Sequence, residues 1–122
     1  MFESRPGPET VDGKQNAEGR LHEGQQVQVQ IAGRGGVPEN APAVAVNVTA
    51  IRPSANGYIT VWPCNEPRPN ASTLNYAAGQ VVASGATIKL DPQGDICVYA
   101  NRELDLAVDV TGYYRNSGLV HR

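Results

Sequence analysis

No stretch of this 122-residue chain is long and apolar enough to cross a membrane, which argues against membrane insertion. Charge is scarce: 18% of residues are charged and the formal net charge is -2. That balance argues against nucleic acid, or an anionic membrane, held by bulk positive charge. Only two cysteines and two histidines occur. Two cysteines cannot furnish a four-ligand zinc site, and His22 and His121 lie in polar segments far from them in sequence. There is no Gly-x-Ser-x-Gly elbow and no Cys–His pair in a nucleophile's setting. The start, Met1-Phe2-Glu3-Ser4-Arg5-Pro6, lacks the basic head and apolar stretch of an export signal. Neither a convincing helical period nor a long internal repeat is present.

What the chain does contain is alternation. Ala43-Val44-Ala45-Val46-Asn47-Val48-Thr49 and Leu104-Asp105-Leu106-Ala107-Val108-Asp109-Val110 place an apolar residue at every second position, the period of a sheet with one buried face. Gln26 to Ile31 alternates likewise, with Val27, Val29 and Ile31 inward. Further strands are expected over Tyr58–Trp62, Ser72–Tyr76 and Asp95–Ala100, and Gln80–Leu90 reads as two strands bent near Gly85. Met1–Arg5 suits a short edge strand, Pro6–Arg20 a long polar surface loop, and the prolines between Pro63 and Asn70 force another loop. Thirteen glycines and nine prolines supply the turns. Asn56-Gly57 carries a hairpin signal, and Asp91-Pro92-Gln93-Gly94 a type I turn. With 40% apolar residues the chain can bury one core. The expected fold is all-β: a single two-layer antiparallel sandwich of about eight strands, jelly-roll-like, over residues 1–115, with a C-terminal tail over 116–122.

Cys64 follows one strand and Cys97 sits inside another, with Ile96 and Val98 facing the opposite side. A Cys64–Cys97 disulfide tying the proline loop to the sheet is favoured over two unrelated thiols; it would add about 3–4 kcal/mol on the chain-entropy model and imply an oxidising location. Asp105 and Asp109 lie about 13 Å apart along a strand, beyond a glycosidase pair's spacing, so they read as solvent-facing. Asp91 and Asp95 flank a turn and read as turn chemistry, not as a calcium loop. Gly33-Arg34-Gly35-Gly36 is glycine-rich, but Pro38 and Pro42 deny it the helix a phosphate loop needs. Asn47-Val48-Thr49 and Asn70-Ala71-Ser72 match the glycosylation triplet, the first inside a core strand. No catalytic residue, metal or cofactor is expected.

The aromatics carry most of the binding potential. Tyr58 and Trp62 share the face opposite Ile59 and Val61, and Tyr76, Tyr99, Tyr113 and Tyr114 complete the set. Rings on a sheet face can stack on sugars or anchor a protein, although a sandwich also tends to bury its only Trp in the core. Tyr58 offers a stacking face, Arg68 a fork of donors between two prolines, and Asn70 a further polar contact. Because alternation commits the strands to the core, the connections are where variable chemistry is expected.

Four segments together resemble a module found in exported actinobacterial proteins. They are Val37-Pro38-Glu39-Asn40-Ala41-Pro42-Ala43-Val44-Ala45-Val46-Asn47-Val48-Thr49, Gly57-Tyr58-Ile59-Thr60-Val61-Trp62-Pro63, Arg68-Pro69-Asn70-Ala71-Ser72-Thr73-Leu74-Asn75-Tyr76 and Val108-Asp109-Val110-Thr111-Gly112-Tyr113-Tyr114. The opening Glu3-Ser4-Arg5-Pro6-Gly7 is similar to the Asp-Thr-Arg-x-Gly start of that module. The resemblance spans the domain up to Tyr114. It implies a non-catalytic extracellular or cell-surface module of the kind appended to secreted hydrolases and cell-wall proteins, and it assigns no site residues. The expected function is binding or adhesion to a polysaccharide or protein surface. The alternative, suggested by the lack of an export signal and companion domain, is a structural subunit: a phage decoration or tail protein on a virion surface, or an extracellular filament, assembling as a homo-oligomer or through its termini.

Overall fold

The computed structural model describes residues 1–8, 10, 12–115 and 118–121. Among these residues nine strands run in chain order: β1 (Phe2–Glu3), β2 (Gln25–Gln30), β3 (Ala43–Ile51), β4 (Gly57–Pro63), β5 (Leu74–Tyr76), β6 (Val81–Lys89), β7 (Asp95–Ala100), β8 (Asp105–Arg115) and β9 (Gly118–His121). No helix occurs among the described residues. One sheet has the order β1-β8-β3-β6, the other β2-β7-β4-β5, and every pairing is antiparallel. β9 adds to the first sheet along the same edge of β8 as β1, pairing with Gly112–Arg115 where β1 pairs with Ala107 and Val108.

The pairings nest. β4 pairs with β5, β3 with β6, β2 with β7 and β1 with β8. The chain is thus one long hairpin, rolled so that β3 also meets β8 and β4 also meets β7. This is the jelly-roll winding, and it bears out the expected sandwich.

Alternation places the core between the sheets. Val44, Val46 and Val48 of β3 are essentially fully buried, as are Leu106 and Val108 of β8 and Ile96 and Val98 of β7. The register of β8 against β3 slips between Ala45 and Val46, so Thr111 is the extra residue of a bulge. The bulge resets the side-chain parity. Val108 and Val110 face in, and beyond it Tyr113, opposite Val44, packs against the core. The sequence run Val108–Tyr114 therefore encodes a strand with a built-in change of face.

Several expectations are corrected. Asn56-Gly57 makes no hairpin, because β3 and β4 lie in different sheets. The glycine is there for space: a Cβ on Gly57 would overlap Asn101 Oδ1 and lie 2.8 Å from the Tyr76 hydroxyl. Gln80–Leu90 holds one strand, not two bent ones; Gly85 stays in register with Asn47 through an unbroken ladder. In the expected tail, Gly118–His121 pairs with β8, while residues 116, 117 and 122 lie outside the described residues. The Asp91–Gly94 turn forms as expected, with Gly94 N donating to Asp91 O at 2.8 Å.

The loop between β1 and β2, whose residues 9 and 11 lie outside the described set, is pinned across two sheet edges. Glu3 N donates to Gln15 O and Glu18 N donates to Glu3 O, both at 3.0 Å, which occupies the outer edge of β1. The Gln15 side chain then bridges to β2, its Nε2 donating to Gln28 O at 3.2 Å and its Oε1 accepting from Gln30 N at 3.0 Å. Behind it Arg34, only 5% exposed, donates to both Asp12 carboxylate oxygens at 2.8 and 2.9 Å and to Gln30 O, Lys14 O and Gln15 Oε1. The Arg34 guanidinium holds the Asp12 carboxyl well below the usual carboxylate range. The glycine-rich Gly33–Gly36 turn thus presents a buried arginine to a loop rather than a cradle to a phosphate.

Candidate binding surface

The outer face of the second sheet is where the sequence-nominated residues meet. Cys64 and Cys97 form the expected disulfide, with Cα atoms 5.0 Å apart. Cys97 stands on the outer face because Ile96 and Val98 take the inner one. The bond fixes the start of the β4–β5 connection over the sheet, and hydrogen bonds hold the rest. Trp62 Nε1 donates to Glu66 O at 3.0 Å, Thr60 Oγ1 to Ala71 O at 3.2 Å, and Thr73 Oγ1 accepts from Val61 N at 3.0 Å.

Trp62 takes the face opposite Ile59 and Val61, as its alternation predicts, but neither as an exposed ring nor as part of the core. It is 4% exposed yet stands outside the cluster between the sheets, beside Cys97 in the cross-strand register. The ring is buried on the outer face beneath the loop, a small third layer that alternation alone cannot reveal.

Beyond the covered zone the same face turns polar and aromatic. Tyr99 lies between Gln26 of β2 and Thr60 of β4, and Tyr58 lies opposite Asn75 of β5. The Tyr58 and Tyr99 rings are 6.1 Å apart at their centroids and tilted by 46°. Arg68 reaches down from the loop and sets its guanidinium 3.8 Å over the Tyr99 ring, a cation–π contact worth about 0.5–1 kcal/mol at an exposed site. Both tyrosines are half-buried, whereas Gln26, Arg68 and Asn75 are exposed. Asn101 Oδ1 accepts from Tyr58 N at 2.8 Å and from the Tyr76 hydroxyl at 3.2 Å, which fixes the backbone at the start of β4. Burial raises the Tyr76 pKa, so that hydroxyl stays a donor.

The structure therefore brings Tyr58 and Arg68 together through Tyr99. Asn70 is exposed in the same loop, and among the described residues no side-chain hydrogen bond ties it to the cluster. Tyr99 was legible from parity with Cys97, two residues earlier on one strand, and Gln26 from the Gln26-x-Gln28-x-Gln30 repeat on an outward face. The surface thus lies on strands as well as on a connection.

The carboxylates noted in the sequence serve the scaffold. Asp105 accepts from Ser4 Oγ at 2.9 Å and Arg20 Nη1 at 3.0 Å, and Asp109 is an exposed residue opposite Asn47. Asp91 Oδ1 accepts from Gln93 N and Asp95 N, closing the turn. Among the described residues no group of three or more His, Cys, Asp or Glu is gathered as a metal site requires. One surface depression, about 610 Å³, has Gly35, Gly36, Val110 and Thr111 among its lining residues.

Compared with known proteins, the chain matches no family model, no curated protein and no solved structure.

Proposed function

We propose that this chain is a non-catalytic module that acts outside the cell and docks on polysaccharide through the outer face of its second sheet. The observation that carries this reading is the Tyr58–Tyr99 pair with Arg68 held over it, flanked by Gln26 and Asn75. Three inter-strand spacings make this strip about 14 Å wide. Half-buried rings suit the apolar faces of sugars, while amide and guanidinium groups match hydroxyls and carboxylates on either side. The disulfide supports an oxidising compartment, and the resemblance to exported actinobacterial modules points the same way.

The test is retention on insoluble cell-wall polysaccharide. The unmodified chain should be retained. Tyr58→Ala combined with Arg68→Ala should reduce retention at least tenfold, with far-ultraviolet circular dichroism and Trp62 emission unchanged. Equal retention of both proteins, or none for the unmodified chain, would exclude this surface as a glycan site.

A further inference from the structure

Antiparallel pairing leaves every second residue of an edge strand with its N–H and C=O pointing away from the sheet. For β6 the bonds just outside the strand set the parity. Arg52 N donates to Gln80 O at 2.8 Å, and Leu90 N to Pro42 O at 3.0 Å, both in the β3–β6 register. Even-numbered residues of β6 therefore bond to β3. Val81, Ala83, Gly85, Thr87 and Lys89 direct their backbone groups outward.

Among the described residues only one contact reaches those groups, Ser84 Oγ at 3.5 Å from Gly85 O. This edge is nine residues long, carries one charge at its end, has no proline and is free of bulges against β3. It also holds Val81, 65% exposed, the one exposed large apolar side chain among the described residues. Soluble proteins normally guard such an edge with charges, prolines, bulges or a covering segment. This chain does so at β1 and β2, through Gln15 and its neighbours, and keeps β5 to three residues.

We propose that β6 is a pairing edge for a second copy of this chain, joining two first sheets into one continuous antiparallel sheet. The strand is self-complementary about Gly85. A two-fold register opposes Val81 to Lys89, Ala83 to Thr87 and Gly85 to Gly85, so every outward-facing residue meets another outward-facing one. The single charge of each strand falls opposite a valine, and no like charges meet. Small residues from Ala83 to Ala86 keep the centre of the seam flat. Such a C2 contact is closed: it uses both free edges and stops at two copies. The pairing is independent of the glycan surface, which lies on the other sheet.

Sedimentation velocity from nanomolar to millimolar protein should show a reversible monomer–dimer equilibrium. Ala83→Lys with Thr87→Lys opposes lysine to lysine twice and should hold the chain monomeric. Ala83→Glu with Thr87→Glu should do the same. Mixing the two variants should restore a heterodimer, which tests the register itself. In the unmodified chain, amide exchange at Ala83, Gly85 and Thr87 should slow at least tenfold between dilute and concentrated samples, while Ser84 and Ala86 stay protected throughout. A monomer at every concentration, a dimer indifferent to the lysines, or a mixture that fails to associate would each overturn the proposal.

Discussion

Along one flank of the sandwich the outward backbone groups of Glu3, Gln28 and Gln30 are met by a single loop; along the other, nine residues of β6 run at the edge with only a distant serine hydroxyl near them. Covering an edge is not free. Gln15 and Ala17 adopt left-handed backbone at φ 53° and 47°, each a strain of about 1–3 kcal/mol for a residue with a Cβ. A buried arginine must also be fully hydrogen-bonded behind them. The protection is built on one flank only. The contrast teaches that edge protection in this molecule is built locally, by the loop at β1 and β2, and does not extend to β6.

The largest expected effect sharpens the contrast by loosening the loop layer alone. Cys64→Ser together with Cys97→Ser should cost about 3–4 kcal/mol in urea unfolding. Trp62 emission should shift to the red as the β4–β5 loop lifts, while the Gln30 amide on the sealed flank keeps its protection. An unshifted Trp62 would mean that the hydrogen bonds to Glu66 and Ala71 hold the layer without the disulfide.

Next comes the seal itself. Arg34→Met leaves Asp12 without its partner and Gln30 O without a donor. Because the Asp12 side chain retains 24% exposure, the expected loss is about 2–3 kcal/mol, below that of a fully buried pair. Gln15→Ala should cost about 1 kcal/mol. In both variants the Gln30 amide should exchange faster, and β2 should become a second associating edge. If Gln30 stays protected, the loop backbone alone seals the flank.

The smallest effect is read with pH. The folded Asp12 carboxyl lies below its unfolded value of about 3.9, so its contribution is complete above that value and is lost as pH falls through the folded one. The sealed flank should therefore survive mild acid and open only in strong acid. A Gln30 amide that deprotects with a midpoint near 4 would remove Arg34 as the cause. The β6 edge carries no carboxylate and should not respond.

Much of this molecule could be read before its structure. The alternation of β3 and β8 gave the sandwich, and an outward Cys97 gave the disulfide partner's face and, two residues on, Tyr99. What escaped was decided by contacts distant in sequence. Asn56-Gly57 has the chemistry of a tight turn, yet Asn101 and Tyr76 determine why glycine sits there. Trp62 follows the sheet's alternation but is hidden by a loop whose placement depends on hydrogen bonds 4 to 12 residues away in sequence. Gln15 sits in a polar run with nothing to mark it, because its partners belong to two different strands.

The nested winding has a kinetic consequence. The pair closest in sequence is β4 with β5, and each further pair encloses the one before, out to Phe2 against Val108. Closing the outer pairs costs more chain entropy, so the tip should form early and β1 should dock last, after β8 exists as a template. On a ribosome β1 must therefore wait until β8, about a hundred residues further on, has emerged. Through that interval the Gln15 loop has no β1 to rest on and β2 stands as exposed as β6. The most hazardous moment for aggregation thus falls just before β8 is in place, and a catalyst that hastens the docking of β1 should raise refolding yield more than one acting on the tip.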